Sequence, residues 1–378
     1  MRAPLRVLLI TGSLGPGGTE LSVEALARGL AASGAARPHV ALLGEGGTRA
    51  DRLRAAGVPV TELRLSGRLW RPDNAVRLLR LAGIVRRESI DVVHTFLFDA
   101  DVYGMLAARL GRPRAVVTTR RAIKRNRPHH IRGYRLTNRF ADRIVANSEA
   151  VCRFTLERER VPPEKLVVIP NGVDTTRMAS GDRAAFRREH GIPPDAVVVG
   201  TAGTVKPVKG QAVLVRAMEP LLAEDPRRLL ILAGTAAGPY AERIRRQAAS
   251  GPLAGRVRLA GNVEDIPGLL AALDLFVLPS LSEGMSNALL EAMAAGCAVV
   301  ATDVGGNREC LGDTGVLVPA GDAVALREAI EELLGDEERR RHLGRRARER
   351  AARHFAIEAM VARTADLYRS LLKEGRRA

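Results

Sequence analysis

Aromatic residues are scarce in this chain: phenylalanine, tyrosine and tryptophan together make up 3% of its 378 residues. The cores must therefore be built from aliphatic side chains. The shortage also bears on nucleic acids, because proteins commonly hold unpaired bases by stacking them on aromatic side chains. Neither an aromatic stacking pattern nor the signature of a recognition helix accompanies the positive charge of the chain. We therefore expect no nucleic-acid partner.

Cysteine and long apolar runs are scarce as well. The three cysteines, Cys152, Cys297 and Cys310, are odd in number and lack the spacing of metal ligands, so we expect buried thiols in a reducing compartment. No apolar run approaches the roughly 18 residues that a membrane-spanning helix needs. The apolar run at residues 5–10 is too short for the core of a signal peptide. These absences predict a cytoplasmic protein.

What the chain has in excess is arginine. The formal net charge is +17, and lysine supplies only five of the 59 basic residues. Such a charge predicts attraction to something anionic, such as nucleotide phosphates or an acidic membrane surface. Two of the five lysines, Lys206 and Lys209, stand three residues apart, which makes them candidates for a local binding role.

Short apolar segments alternate with segments of helical spacing, which predicts doubly wound parallel sheets. The alternation breaks after Asn171, where residues 175–194 are polar and predict a linker with one short helix. It restarts at Ala196. A length of 378 residues and a hydrophobic content of 46% suit two domains. We therefore predict an α/β chain with two Rossmann-like domains.

A glycine-rich loop follows the first strand and leads into a helix at about Thr19. Free N–H groups at a helix start attract anions, so the loop containing Gly17 and Gly18 is a candidate phosphate cradle. A dinucleotide-binding fingerprint counted from Gly15 would need a third glycine at position 20, where Glu20 stands. A flexible turn without a ligand is the alternative.

A second candidate loop spans residues 203–210 and contains both Lys206 and Lys209. It lacks the Gly-Lys-Ser/Thr sequence of a Walker-type phosphate loop. Two lysines in a tight turn beside a helix start can still hold a diphosphate as point charges. The alternative is a pair of solvated loop lysines.

The most informative stretch, residues 275–306, predicts a strand, a loop, a helix and a further strand. Ser286 and Asn287 stand at the predicted helix start, and the N–H groups of residues 284–287, including Gly284 and Met285, would point at a phosphate. Glu291, one turn inside the helix, can accept two ribose hydroxyls. Glu283 can accept hydroxyls of a group on the far phosphate. A hydrolase carboxylate pair and a solvated glutamate at 291 are the alternatives.

The segment from Glu283 to Glu291 resembles the E-x7-E motif of retaining glycosyltransferases of family 4. Further segments resemble that family in the same order along the chain: Gly17-Gly18-Thr19-Glu20, Asp91-Val92-Val93-His94, Ile169-Pro170-Asn171-Gly172-Val173-Asp174, Lys209-Gly210 and Gly305-Gly306-Asn307. The resemblance covers nearly the whole chain.

The resemblance implies a GT-B fold, in which two Rossmann-like domains face each other across a cleft. The N-terminal, acceptor-side domain would comprise residues 1–175 together with 356–378, because the last helix would cross back to it. The C-terminal domain, residues 176–355, would bind the nucleotide-sugar. Glu291 would then bind ribose, Glu283 the hydroxyls of the donor sugar, and Lys209 the leaving diphosphate, while Gly17 and Gly18 would approach the phosphates.

Three positions depart from the family pattern. Members often carry arginine where Thr204 stands, and Lys206 would take its place as the second phosphate clamp. Many have His-x-His where this chain has His94-Thr95-Phe96, and many have histidine near position 120, where Arg120 stands. His94 is then the remaining candidate for a catalytic sugar contact, with a structural histidine as its alternative. The resemblance implies no metal and no cofactor besides the nucleotide-sugar.

A basic stretch at residues 120–139 holds eight lysines and arginines and no acid. We interpret it, and Arg120, Arg121, Lys124 and Arg125 in particular, as a docking face for an acidic acceptor or an anionic membrane. A solvated loop is the alternative. The first interpretation predicts a peripheral position at the inner face of the membrane.

Together these features predict a retaining glycosyltransferase that moves a sugar from a nucleotide diphosphate to a saccharide or lipid-linked hydroxyl. Such a reaction would serve the synthesis of cell-surface polysaccharide, glycolipid or another glycoconjugate. A nucleotide-sugar epimerase of the same fold and a non-catalytic nucleotide-sugar-binding subunit are the alternatives. The donor sugar, its base, the acceptor, the linkage and the oligomeric state are not specified by these patterns.

Overall fold

The computed structural model describes residues 4–15, 17–65, 72–123 and 128–374. The chain divides into two compact units. Unit 1 comprises Met1–Gly172 with Ile357–Ala378, and unit 2 comprises Val173–Ala356. The sequence places the same two boundaries at 175/176 and 355/356, within three residues of those in the structure.

Unit 1 is built on a parallel sheet with strand order β3-β2-β1-β4-β5-β6-β7. Aliphatic runs form the central strands, and residues 7–10 of β1 are fully buried because helices cover both faces of the sheet. The strands are β1 (Leu5–Thr11), β2 (Ala36–Leu42), β3 (Val60–Glu62), β4 (Val92–Phe96), β5 (Ala115–Arg120), β6 (Arg143–Ala146) and β7 (Leu166–Val168). The helices are α1 (Gly18–Ala32), α2 (Gly47–Ala55), α3 (Pro72–Arg87), α4 (Phe98–Gly111), α5 (Pro128–Thr137) and α6 (Glu149–Glu159), and a 3-10 turn spans Pro163–Lys165.

Unit 2 has a smaller parallel sheet with strand order β10-β9-β8-β11-β12-β13. Its strands are β8 (Val197–Ala202), β9 (Arg228–Ala233), β10 (Val257–Gly261), β11 (Leu275–Leu278), β12 (Val299–Thr302) and β13 (Val316–Val318). Its helices are α7 (Thr175–Met178), α8 (Arg183–Glu189), α9 (Gln211–Glu224), α10 (Gly238–Ala248), α11 (Ile266–Ala272), α12 (Asn287–Ala295), α13 (Asn307–Leu311), α14 (Ala323–Gly335) and α15 (Glu337–His354), with 3-10 turns at Pro207–Lys209 and Gly251–Leu253.

The prediction of a linker at residues 175–194 is wrong. This segment forms α7 and α8, and Met178 and Phe186 belong to the core of unit 2. Arg187, which is 4% exposed, donates hydrogen bonds to the carbonyl oxygens of Ala272 and Ala196 and forms an ion pair with Asp274. The segment is polar because its arginines bind main-chain oxygens of the unit. Amino-acid composition alone does not distinguish such buried arginines from solvent-exposed ones.

The last helix, α16 (Ile357–Glu374), belongs to unit 1, as predicted. It packs on α1 so closely that a Cβ atom on Gly29 would lie 2.4 Å from Cγ2 of Val361. Tyr368, on the same helix, is fully buried in the unit 1 core. The buried side of α16, which carries Met360, Val361, Tyr368 and Leu371, therefore packs on unit 1.

Candidate functional site

In each sheet the strand order reverses direction between two neighbouring strands. The reversal lies between β1 and β4 in unit 1 and between β8 and β11 in unit 2. Ligands of open α/β sheets bind at such a point, beyond the carboxyl ends of the strands. The candidate loops that follow β1, β8 and β11 therefore all leave a strand at a position suited to a ligand.

The loops after β8 and β11 are packed together by their main chains. Gly210 has φ +68°, and a Cβ atom there would lie 1.9 Å from the carbonyl oxygen of Pro279, so only glycine fits. Next to this contact, the N–H of Leu281 donates to the carbonyl oxygen of Val208 at 2.8 Å. The close approach places Lys209 beside the loop that carries Glu283.

Lys209 and Glu283 form an ion pair, with 2.7 Å between Nζ and Oε1. The hydroxyl of Ser280 donates to the same oxygen at 2.6 Å. The Glu283 side chain is 9% exposed and that of Lys209 is 31% exposed. The carboxylate is therefore fixed and largely desolvated, whereas the ammonium group retains access to solvent and to an anion.

The helix after this loop begins as the sequence predicts. Ser286 is the N-cap of α12, and its hydroxyl accepts a hydrogen bond from the N–H of Leu289 at 3.4 Å. The helix ends at Gly296, which adopts the left-handed conformation with φ +83°. Glu291 lies one turn inside the helix and is half-buried.

A third loop, after β12, braces the same site. Gly305 has φ +55°, and a Cβ atom on it would lie 1.9 Å from the carbonyl oxygen of Glu283. The N–H of Gly306 donates to the carbonyl oxygen of Gly284 at 2.7 Å. The structure thus brings together the predicted residues Lys209, Glu283 and Gly284, and it holds their main chain rigidly.

Three other residues that were predicted to bind the donor lie on the same two loops or at the start of α12. Lys206 is exposed in the loop after β8. The Met285 side chain is 6% exposed and belongs to the unit 2 core, so only its main chain is available to a ligand. Asn287 is half-buried at the first position of α12.

In unit 1 the glycine loop after β1 leads directly into α1. Gly17 is the N-cap residue, and Gly18, the first helical residue, is exposed. The carboxylate of Glu20 folds back over the cap. A Cβ atom placed on Gly17 would lie only 2.1 Å from its Oε2. The predicted phosphate cradle is therefore a helix N-terminus with a carboxylate beside it.

The structure does not support His94 as a catalytic sugar contact. The imidazole is 2% exposed, with 2.6 Å between Nδ1 and the Tyr368 hydroxyl and 2.5 Å between Nε2 and the Thr119 hydroxyl. Burial, together with the positive charge of Arg121, lowers the pKa of His94 to about 3. His94 is a neutral core residue that ties β4 to β5 and α16.

The prediction that Arg120 lies on a docking face is wrong. Its guanidinium is 4% exposed and forms ion pairs with Asp101 at 2.6 Å and Glu159 at 2.9 Å. It also donates to Asn138 and lies 3.8 Å from the centre of the Tyr134 ring. Burial raises the pKa of the fully buried Asp101, and it outweighs the charge of Arg120 and the hydrogen bonds from Thr118 and Thr95, which lower that pKa. This network fastens β5 to α4, α5 and α6.

Arg121, the next residue, points to the glycine-loop side of unit 1. One terminal nitrogen donates to the Ser22 hydroxyl at 2.5 Å and to Oδ1 of Asn171 at 2.8 Å. Burial lowers the pKa of Arg121 to about 10, so the group remains cationic at neutral pH. Lys124 and Arg125 lie outside the described residues.

Two family models match the chain. Glycosyltransferase Family 4 matches residues 16–177, and Glycosyl transferases group 1 matches residues 182–350. A D-inositol 3-phosphate glycosyltransferase of Thermobispora bispora is 30% identical over 78% of this chain and 75% of its own length. This chain is a family 4 glycosyltransferase.

Other relatives of this glycosyltransferase are matched over less of their length. A D-inositol 3-phosphate glycosyltransferase of Nocardia farcinica is 36% identical over 56% of this chain, and the match spans about half, 49%, of that relative. The lipopolysaccharide core biosynthesis mannosyltransferase LpsB of Rhizobium meliloti is 34% identical over 54% of this chain and 61% of its own.

Solved structures agree with the glycosyltransferase family on fold. HepE of Anabaena, crystallised with UDP and glucose, has a TM-score of 0.87 and 25% identity over 97% of this chain and 100% of that one. Sucrose-phosphate synthase of Thermosynechococcus elongatus, 22% identical, has a TM-score of 0.83 over 98% of this chain and 100% of that one. The predicted GT-B fold of this glycosyltransferase is confirmed.

Sequence reasoning missed Ser280, which orients the glycosyltransferase's Glu283. Ser280 is fully buried, and its carbonyl oxygen accepts a hydrogen bond from the Thr302 hydroxyl at 2.5 Å. The available signal was its place directly after Pro279, where β11 has just ended at the ligand edge of the sheet. Nothing in the residue type itself marks it, because buried serines are common hydrogen-bonding residues.

Proposed function

We propose that this glycosyltransferase transfers a sugar from a nucleoside-diphosphate sugar to an acceptor hydroxyl and retains the anomeric configuration. The observation that supports it most is the Lys209–Glu283 pair, 2.7 Å apart at the reversal point of the unit 2 sheet. A cation that can bind a diphosphate and a fixed carboxylate that can accept hydrogen bonds from sugar hydroxyls lie there next to each other.

The donor would lie along the loops after β8 and β11. Lys209, with its half-exposed ammonium group, would neutralise the diphosphate, and Lys206 in the same loop would add a second positive charge. The first N–H groups of α12 would face a phosphate, since the helix start carries partial positive charge. Glu291 would accept the ribose hydroxyls, and Glu283, held by Ser280, the hydroxyls of the transferred sugar.

In the transfer, the bond between the anomeric carbon and the diphosphate oxygen breaks. The new bond forms between that carbon and the acceptor oxygen on the same face of the sugar, and the acceptor's proton passes to the departing phosphate. Negative charge therefore grows on the diphosphate, where Lys209 and the N–H groups of α12 stabilise it. That these groups act without a metal stays a prediction.

For the acceptor, we propose a hydroxyl on a molecule that carries an anionic group. The names of two relatives specify inositol 3-phosphate, which is phosphorylated. On this chain Arg121 offers a fixed guanidinium at the carboxyl end of β5, where its contacts with Ser22 and Asn171 hold it in place. Such a group suits a phosphate or carboxylate.

The test is a panel of UDP-, GDP- and ADP-sugars, with binding, donor hydrolysis and transfer measured separately. Acceptors are supplied in pairs, such as myo-inositol and inositol 3-phosphate, and the product's anomeric configuration is read by NMR. We expect one nucleotide class to bind, transfer to favour the phosphorylated acceptor, and the configuration to be retained. Inversion would contradict the proposed reaction.

Variants locate the chemistry. Lys209→Ala should lower kcat about 100-fold, because it removes charge stabilisation that develops in the transition state. Glu291→Ala should instead weaken nucleotide binding by roughly ten-fold. Lys373→Ala, at an exposed position on α16, is the matched control and should change neither. Sugar epimerisation without transfer, or binding without turnover of any donor, would favour the epimerase or the binding subunit.

A further inference from the structure

Unit 1 carries exposed apolar side chains on one side of its sheet. Among the described residues, nine large apolar side chains are exposed, and six of them lie on or just after α3, α4 and α5: Val76, Leu79, Leu106, Leu110, Leu136 and Phe140. None of the nine lies on α1, α2 or α16. Those three helices contribute to a separate hydrophobic core cluster of unit 1. We call the surface formed by α3, α4 and residues 128–140 the outer face.

The outer face is also basic. Its exposed arginines are Arg80, Arg86, Arg87, Arg109, Arg132, Arg135 and Arg139. Residues 74–87, 102–112 and 128–140 contain no aspartate or glutamate, and the exposed acids Asp73 and Asp99 stand in the first turns of α3 and α4. By contrast, acids do occur on the helices of the other face, namely Glu20 and Glu24 on α1, Asp51 on α2, and Glu358, Asp366 and Glu374 on α16. Positive charge and exposed apolar side chains therefore coincide.

The three stretches form one continuous surface. α3 and α4 cover a shared core cluster, and Arg86 donates to the carbonyl oxygen of Leu110, which joins the end of α3 to the end of α4. The guanidinium of Arg109 lies 5.3 Å from the centre of the Phe140 ring and joins α4 to the segment after α5. The side chains of the outer face are thus presented by packed helices.

We propose that the outer face docks on an anionic membrane surface. Helices that lie in the interface of a bilayer combine apolar side chains, which enter the acyl boundary, with lysines and arginines that meet anionic headgroups. The outer face has both features on one side. None of the helices in the described part of the chain is long and apolar enough to span a bilayer.

The same features disfavour two other partners. A second copy of the chain, packed through this face about a two-fold axis, would place arginines against arginines. Nucleic acid would use the arginines but would leave exposed Val76 and Leu79, 68% and 62% accessible, without a role. Relative to the sequence prediction, Arg120 and Arg121 leave the docking surface, and α3 and α4 join it.

The experiment is co-sedimentation of the full chain with vesicles of phosphatidylcholine alone or mixed with phosphatidylglycerol. We expect binding to the anionic vesicles, weakened by salt. Combining Arg80→Gln, Arg132→Gln and Arg139→Gln should reduce partitioning on the order of 100-fold, since each basic residue near the headgroups contributes about five-fold. Combining Val76→Ser with Leu79→Ser should also reduce it, and both positions are too exposed for the change to disturb folding.

Matched controls separate the outer face from net charge. The triple variant Arg28→Gln, Arg345→Gln and Arg363→Gln removes the same charge from exposed positions on α1, α15 and α16. Val324→Ser, at 57% exposure on α14, matches the apolar change. Equal losses in test and control variants, or equal binding to neutral vesicles, would overturn the proposal. Salt-sensitive binding to duplex DNA that depends on the same side chains would also overturn it. A dimer that dissociates in the double variant Val76→Ser with Leu79→Ser would do the same.

Discussion

The buried network around Arg120 allows a sharp prediction about stability. Arg120→Met retains the aliphatic stem but removes the cation that serves Asp101 and Glu159, whose side chains are 0% and 3% exposed. Removing one partner of a buried ion pair costs about 3–5 kcal/mol, because the remaining charge has lost both water and its partner. A domain is stable by only about 5–15 kcal/mol, so the loss should be obvious.

The cost should depend on pH in a definite direction. Burial already raises the pKa of Asp101, and without the guanidinium it is raised further. The folded variant then holds a proton that the unfolded chain has released, so its stability falls as pH rises through the folded pKa. We expect a smaller deficit at about pH 5 than at about pH 8.

Calorimetry is the suitable assay, because it can resolve the transition of unit 1 from that of unit 2. Arg369→Met is the control: Arg369 pairs with Asp366 on the exposed surface of α16, where an ion pair is worth roughly 0–1 kcal/mol. Adding Asp101→Asn to Arg120→Met should restore part of the loss by removing a stranded charge. If Arg120→Met costs no more than Arg369→Met, the reasoning is refuted.

Two further predictions concern backbone space and acid stability. Gly210→Ala should destabilise unit 2 by about 2–4 kcal/mol and weaken nucleotide binding, because its Cβ would meet the Pro279 carbonyl. The control is Gly191→Ala, at φ +58° in open space, which should cost only about 1 kcal/mol. Calorimetry of unit 2 compares them, and equal costs would speak against the packing. Burial and Arg121 lower the pKa of His94 to about 3, against about 6.5 unfolded. Between these values stability should fall by about 1.4 kcal/mol per pH unit of acidification through this group. His94→Gln should therefore flatten the acid dependence of unit 1, and an unchanged slope would exclude this assignment.

Much of the fold could be predicted because its signals are local. Apolar runs alternating with helical periodicity indicated two doubly wound sheets, and Ser286 marked the start of α12. The failures came where side chains are used over long range. The arginines of residues 175–194 looked solvated, yet Arg187 is buried against main-chain oxygens.

The candidate site divides along the same line. The order of residues in the chain is enough to indicate Lys209, Glu283 and Glu291 as candidate donor-binding residues, since loop glycines and helix starts are encoded locally. Only the tertiary structure decided that Lys209 meets Glu283 across 74 residues, that Ser280 holds the carboxylate, and that Arg120 is a core cation. The physical reason is strand order. Which loops become neighbours depends on how parallel strands are arranged in a sheet, and periodicity along the chain does not encode that arrangement.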